Sequence, residues 1–142
     1  MLASMKGKIN NNTIIVGDFN TPLTPMDRST KQKINKERQT LNDTMGQLDL
    51  IDIYRTFHPK TINFTYFSSE HETFSRIDHI LGHRSSLGKF KKIVIISSIF
   101  SDHNVVRLSV HLDTTNQLNT DRCLPMRNRS ETHGKVPCTR KF

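Results

Sequence analysis

Three segments of the sequence hold side chains whose types and spacing could do hydrolytic chemistry. Gly17-Asp18-Phe19-Asn20 follows a short apolar run, and Asp78 sits inside the aliphatic run Ile77-Asp78-His79-Ile80-Leu81. Ser101-Asp102-His103 lies between two further apolar runs. A carboxylate within or against buried strands is costly unless it is paired or bound to a cation. Together the three segments offer hard oxygen ligands, an amide and an imidazole, the inventory of metal-assisted phosphoryl chemistry. Each segment also has a plainer reading. Asp18 and Asn20 could make turn hydrogen bonds, Ser101-Asp102-His103 could be a loop with a capping serine, and Asp78 could pair with Arg76 or a backbone N–H.

The elements that would position these groups alternate between strand and helix. Thr13-Ile14-Ile15-Val16 is β-branched and apolar and predicts a buried strand ending at Gly17. Leu41, Met45 and Leu48 fall at i, i+4 and i+7, one face of a helix. Leu50-Ile51-Asp52-Ile53-Tyr54 is apolar but of ambiguous type, and His58-Pro59 stops it. Phe64–Phe67 and Phe74–Leu81 predict two strands of a hairpin across the polar connection between them. Lys91–Ile96 is the strongest strand run, and Val105–Val110 alternates as a last strand. This mixture points to an α/β class.

The chain has 142 residues, with 21 Lys+Arg against 13 Asp+Glu, a net charge of +8. Such an excess favours a polyanionic partner. Residues 28–38 hold Arg28, Lys31, Lys33, Lys36 and Arg38 against Glu37 alone, just beyond the Asp18/Asn20 segment. Leu, Ile, Val and Phe make up 38 of the 142 residues, enough for a modest core. No stretch approaches the ~18 apolar residues of a membrane span, and the N-terminus lacks the apolar region of a secretory signal. Two cysteines exclude a disulfide scaffold, and Cys123, His133 and Cys138 match no zinc spacing. Only four of the 38 large apolar residues fall in 113–142. The expected organisation is a disordered lead over 1–11, a partial domain over 12–112 and a disordered basic tail over 113–142.

The order of these motifs resembles the endonuclease/exonuclease/phosphatase superfamily. Gly17–Asn20 is followed by Leu50-Ile51-Asp52-Ile53-Tyr54-Arg55, Phe64-Thr65-Tyr66-Phe67, Ser75-Arg76-Ile77-Asp78-His79-Ile80 and Ser101-Asp102-His103. Gly-Asp-Phe-Asn-Thr-Pro-Leu at 17–23, Asp27-Arg28-Ser29-Thr30 and Leu50–Lys60 are similar to the endonuclease domain of the long interspersed element retrotransposon reverse-transcriptase polyprotein. The resemblance implies an α/β sandwich of two packed sheets and Mg²⁺-dependent hydrolysis of DNA phosphodiesters. It implies Asp18 as the group that positions or deprotonates the attacking water, Asn20 as the amide that orients the phosphate, and Asp78 as the carboxylate that orients His103. His103 would stabilise charge on the phosphate, and Asp102 would help bind metal. Arg28, Thr65 and Ser101 would lie near the DNA backbone, and the connection at 68–74 would help read the minor groove.

In that family the Gly17–Asn20 motif falls in the second half of the domain, whereas here 16 residues precede it. The family's early Asn, its principal metal-binding Glu and a phosphate-contacting Tyr have no counterpart there. The expectation is therefore the C-terminal half of the sandwich, weakly active or inactive alone. The alternatives are a non-catalytic basic nucleic-acid-binding fragment and the non-functional product of a truncated element. DNA as the implied substrate places the chain in the nucleus or cytoplasm, with no membrane and no small-molecule cofactor.

Overall fold

The β-branched run at the start of the body becomes β1 (Thr13–Asp18), the strand on which the fold is organised. The computed structural model describes residues 2–31 and 35–111, with the backbones of 124–125 and 138–141. After β1 come α1 (Lys36–Gln47), β2 (Leu50–Asp52), α2 (Ile53–Phe57), β3 (Tyr66–Ser68), β4 (Thr73–Ser75), β5 (Asp78–His83), β6 (Phe90–Ile96) and β7 (Val105–Val110). Two further strands are β8 (Leu124–Pro125) and β9 (Cys138–Lys141). The main sheet runs β2-β5-β1-β9-β8, and β3-β4 and β6-β7 form separate ribbons. Every pairing among the described residues is antiparallel. The result is the mixed α/β architecture expected from the sequence.

Successive side chains of a strand point to opposite faces, and both faces of β1 are covered. Ile15 and Leu81 enter one apolar cluster with Leu2, Met5, Leu23, Met45 and Leu50. Ile14 and Ile80 enter a second with Ile53, Tyr54, Phe90 and Ile93. The first layer is closed by α1 and the N-terminal turn, the second by α2 and the β6-β7 ribbon. Gly82 is required here, because a Cβ on it would lie 2.7 Å from Phe90 Cζ and 3.1 Å from Ile53 Cδ1.

The α1 face is the one the spacing predicts: Met45 is buried and Leu41 and Leu48 pack beside it. Asn35 caps the helix by accepting from the Glu37 N–H at 3.2 Å. The ambiguous run 50–54 divides, Leu50–Asp52 joining the sheet and Ile53 opening α2, with Asp52 accepting from the Arg55 N–H at 3.4 Å.

Several expectations are corrected. The expected lead over 1–11 is not loose from Leu2 onward: Leu2–Met5 forms a 3-10 turn, and Leu2 and Met5 are buried against the apolar face of the main sheet. Phe74–Leu81 is not one strand. The chain breaks at Arg76-Ile77, so the hairpin is β3-β4 alone and β5 crosses to the main sheet. The cause is Arg76, whose guanidinium turns inward to two carboxylates. β7 is followed by β8 and β9, and β9 pairs along β1 from Thr13↔Lys141 to Val16↔Cys138. Otherwise the stretch expected as a tail, with Cys123 and His133, lies outside the described residues. No helix among the described residues is long and apolar enough to cross a membrane.

Candidate active site

The register of β1 against β5 places Asp18 directly opposite Asp78. The pairing continues one residue further, where the Phe19 N–H donates to Ile77 O at 2.9 Å, so the strand ends do not fray at the two carboxylates. Burial raises the Asp18 carboxyl above its ordinary value. The Asn20 N–H opposes that shift, Asp78 adds to it, and His103 offsets it.

His103 Nδ1 lies 2.8 Å from Asp78 Oδ2. An ionised carboxylate only accepts, so Nδ1 carries the proton of this bond and Nε2 is not engaged by Asp78. The imidazole packs against Tyr66 with ring centroids 4.8 Å apart, and the two backbones form an antiparallel bridge. Asp78 is held from below by Thr65, whose Oγ1 accepts from the Ile77 N–H at 3.1 Å and the Asp78 N–H at 3.2 Å.

Asn20 is exposed at φ 51°, a left-handed conformation that asparagine tolerates, and its N–H donates to Asp18 Oδ1 at 2.7 Å. It opens onto a groove of about 650 Å³ lined also by Arg28, Lys31, Arg38 and Phe64. Arg28 lies in that groove with its backbone bridged to Ser75.

The remaining expected residues are placed differently. Thr65 is fully buried, which removes it from any surface that DNA could touch. Ser101 Oγ accepts from the His103 N–H at 3.1 Å, so this hydroxyl shapes the loop. Asp102 is exposed, and its backbone carbonyl accepts from the Phe67 N–H at 3.1 Å. Among the described residues Asp102 is not one of the grouped metal-capable side chains.

Sequence reasoning missed the buried charges behind the site. Arg76 Nε donates to Asp27 Oδ1 at 2.9 Å and Nη2 to Asp52 Oδ2 at 2.5 Å. Arg55 Nη2 adds a 2.5 Å contact to Asp27 Oδ1. His79 Nδ1 lies 3.1 Å from Arg76 Nη1, and its Nε2 is 2.9 Å from Thr21 O, which ties down the loop after Asn20. Burial alone would raise Asp52, but His79 and Arg76 outweigh it and hold that carboxyl well below the usual range. Burial alone would lower Arg76, but Asp52 and Asp27 hold it above its ordinary value. The available signal was an arginine within an aliphatic segment, which needs acids elsewhere in the chain.

Asp18, Asp78 and His103 each offer one ligand atom, and these atoms lie within 4.8 Å of one another. Two half-buried carboxylates are the donors a hard divalent cation takes, so the group fits one. Asp78 Oδ2 is already engaged by the imidazole, so Asp18 and the second Asp78 oxygen are the better-placed donors.

Residues 2–103 match the Endonuclease/Exonuclease/phosphatase family. The "Transposon TX1 uncharacterized 149 kDa protein" of Xenopus laevis is 33% identical over 101 residues, covering 70% of this chain and 8% of that protein. An AP endonuclease from Archaeoglobus fulgidus superposes with a TM-score of 0.66 at 15% identity, over 78% of this chain and 51% of that one. The 3'-5' exonuclease NExo of Neisseria meningitidis superposes with a TM-score of 0.64 at 22% identity, over 78% and 52%. The AP endonuclease LMAP of Leishmania major gives 0.60 at 18%, over 69% and 35%. This chain therefore spans from about a third to a half of these solved chains. The solved structures share its fold, and the family match settles its kinship: this chain belongs to the Endonuclease/Exonuclease/phosphatase family.

Proposed function

We propose that the chain carries the aspartate–histidine half of a Mg²⁺-dependent DNA phosphodiesterase of retrotransposon origin. The observation that carries this reading is the Asp78–His103 pair, 2.8 Å apart, beside Asp18 on the adjoining strand end. The transposon relative and a Neisseria 3' phosphatase bound to product DNA hairpin support the choice of substrate.

In this reading Asp18 receives the proton of the attacking water through the carboxylate oxygen not engaged by a cation. Asn20 presents its amide to a phosphate oxygen. Asp78 fixes the imidazole and balances its positive charge, and His103 Nε2 donates to the oxygen on which charge develops. Arg28 and Ser101 would line the path of the DNA backbone, and the 68–74 connection would meet a groove. Mg²⁺, held by Asp18 and Asp78, would neutralise phosphate charge.

Supercoiled plasmid with Mg²⁺ tests this. Any nicking by the chain alone should be weak, stop with chelator, and vanish in Asp18→Ala and His103→Ala. Nicking that survives both substitutions would sink the reading. A second reading is a non-catalytic nucleic-acid binder, favoured because the grouped ligands include no glutamate among the described residues. It predicts no nicking, affinity that falls steeply with salt, and indifference to Asp18→Ala.

A further inference from the structure

The connection between β6 and β7 carries the two most exposed large apolar side chains among the described residues, Ile99 at 89% and Phe100 at 93%. Leaving two such side chains in water gains nothing for folding, since serine or asparagine would serve a turn equally well.

The turn is also firmly held. The Ser98 N–H donates to Asn104 Oδ1 at 3.1 Å, and the Asn104 N–H donates to Thr65 O at 2.6 Å. Asn104 Nδ2 reaches Phe64 O at 3.0 Å, and the Phe100 N–H reaches Ser98 Oγ at 3.3 Å. The tip is thus fixed to the same Thr65 that supports Asp78, and His103 follows Phe100 by three residues.

The ribbon behind the tip has two unlike faces. Ile93 and Ile95 turn into the core, while Val94↔Arg107 and Ile96↔Val105 share the outward face with Lys92. That outward face grades from cations, Lys92 and Arg107, to apolar Ile96 and Val105, and then to the tip. Cations suited to phosphates leading to an apolar end beside a phosphate-cleaving group match nucleic acid better than a protein surface.

We propose that Ile99 and Phe100 form an apolar wedge that packs against an unstacked DNA base beside the phosphate addressed by His103. This rests on the DNA substrate proposed above. Isoleucine and phenylalanine are among the side chains that proteins insert between base steps to part them.

The experiment uses the whole chain in chelator with a series of short duplexes, each carrying 2-aminopurine at one position. Fluorescence should rise at one or two adjacent positions. Ile99→Ser and Phe100→Ser should reduce the saturating rise at least three-fold, leave the salt dependence of binding unchanged and leave the melting profile intact. No responsive position, or a rise unaffected by both serine substitutions, overturns the wedge. A Phe100→Ser change in the sedimentation of the DNA-free chain would mark the tip as a self-association surface and overturns it too. A chain that fails to nick plasmid but shows the tip-dependent rise would lose the hydrolytic reading and keep the wedge.

Discussion

Asp78 and His103 come from segments 25 residues apart, yet His103 Nδ1 and Asp78 Oδ2 meet at 2.8 Å over a strand end braced by Thr65. The carboxylate accepts from Nδ1 and so orients the ring with Nε2 turned away from Asp78. Replacing Asp78 by Asn keeps the shape and removes the charge that balances an imidazolium. In a nicking assay Asp78→Asn should lower the rate by about 10²–10⁴-fold. A loss below ten-fold would show that the pair does not set the imidazole.

The Asp18 carboxyl is raised by burial and further by Asp78. Removing the Asp78 charge should therefore move the Asp18 midpoint downward. Carbon-detected NMR titration of the metal-free chain should find a lower midpoint in Asp78→Asn than in the parent. An unchanged or higher midpoint would contradict the coupling across the strands.

Thr65 Oγ1 satisfies two backbone donors, of Ile77 and Asp78, while the residue is fully buried. Thr65→Val keeps the volume and orphans both N–H groups. Denaturant unfolding should show a loss of about 1–3 kcal/mol. DNA affinity per folded molecule should stay the same, and an affinity loss in the folded variant would restore Thr65 to the DNA surface.

Arg76 joins Asp27 and Asp52 out of reach of water. Arg76→Met leaves two buried carboxylates without their shared guanidinium, Arg55 remaining beside Asp27 and His79 beside Asp52, and should cost about 3–5 kcal/mol. A variant as stable as the parent would show that the network is solvated.

Because the Asp52 carboxyl is held below its ordinary value, its contribution is complete above about pH 5 and is lost as pH falls below about 3.9 and on through the folded value. The stability difference between the parent and Asp52→Asn should be largest near neutrality and shrink on acidification. A difference that grows toward acid would reverse the sign of the shift.

Much of the frame was legible in the sequence because apolar periodicity is local. Val16 announces β1, Leu41/Met45/Leu48 announces α1, and Lys91–Ile96 announces β6. What was hidden depends on partners distant in sequence. The break at Arg76 needs Asp27 and Asp52 to be seen, and the cover supplied by Leu2 and Met5 needs the sheet face they fill. The site divides in the same way. The types at Asp18, Asp78 and His103 were readable, whereas the burial of Thr65 and the position of Asp102 outside the ligand group follow only from how the loops fold over β5.

Antiparallel pairing sets Ile15 opposite Leu81 and Asp18 opposite Asp78 along the same two strands. A slip of one residue would expel Leu81 from its cluster and bring Ile77 or His79 against Asp18. The apolar half of the ladder thus acts as a caliper for the charged half. Any change that loosens Ile15 or Leu81 would be felt first as a misalignment of the two carboxylates, in a molecule that could still be folded.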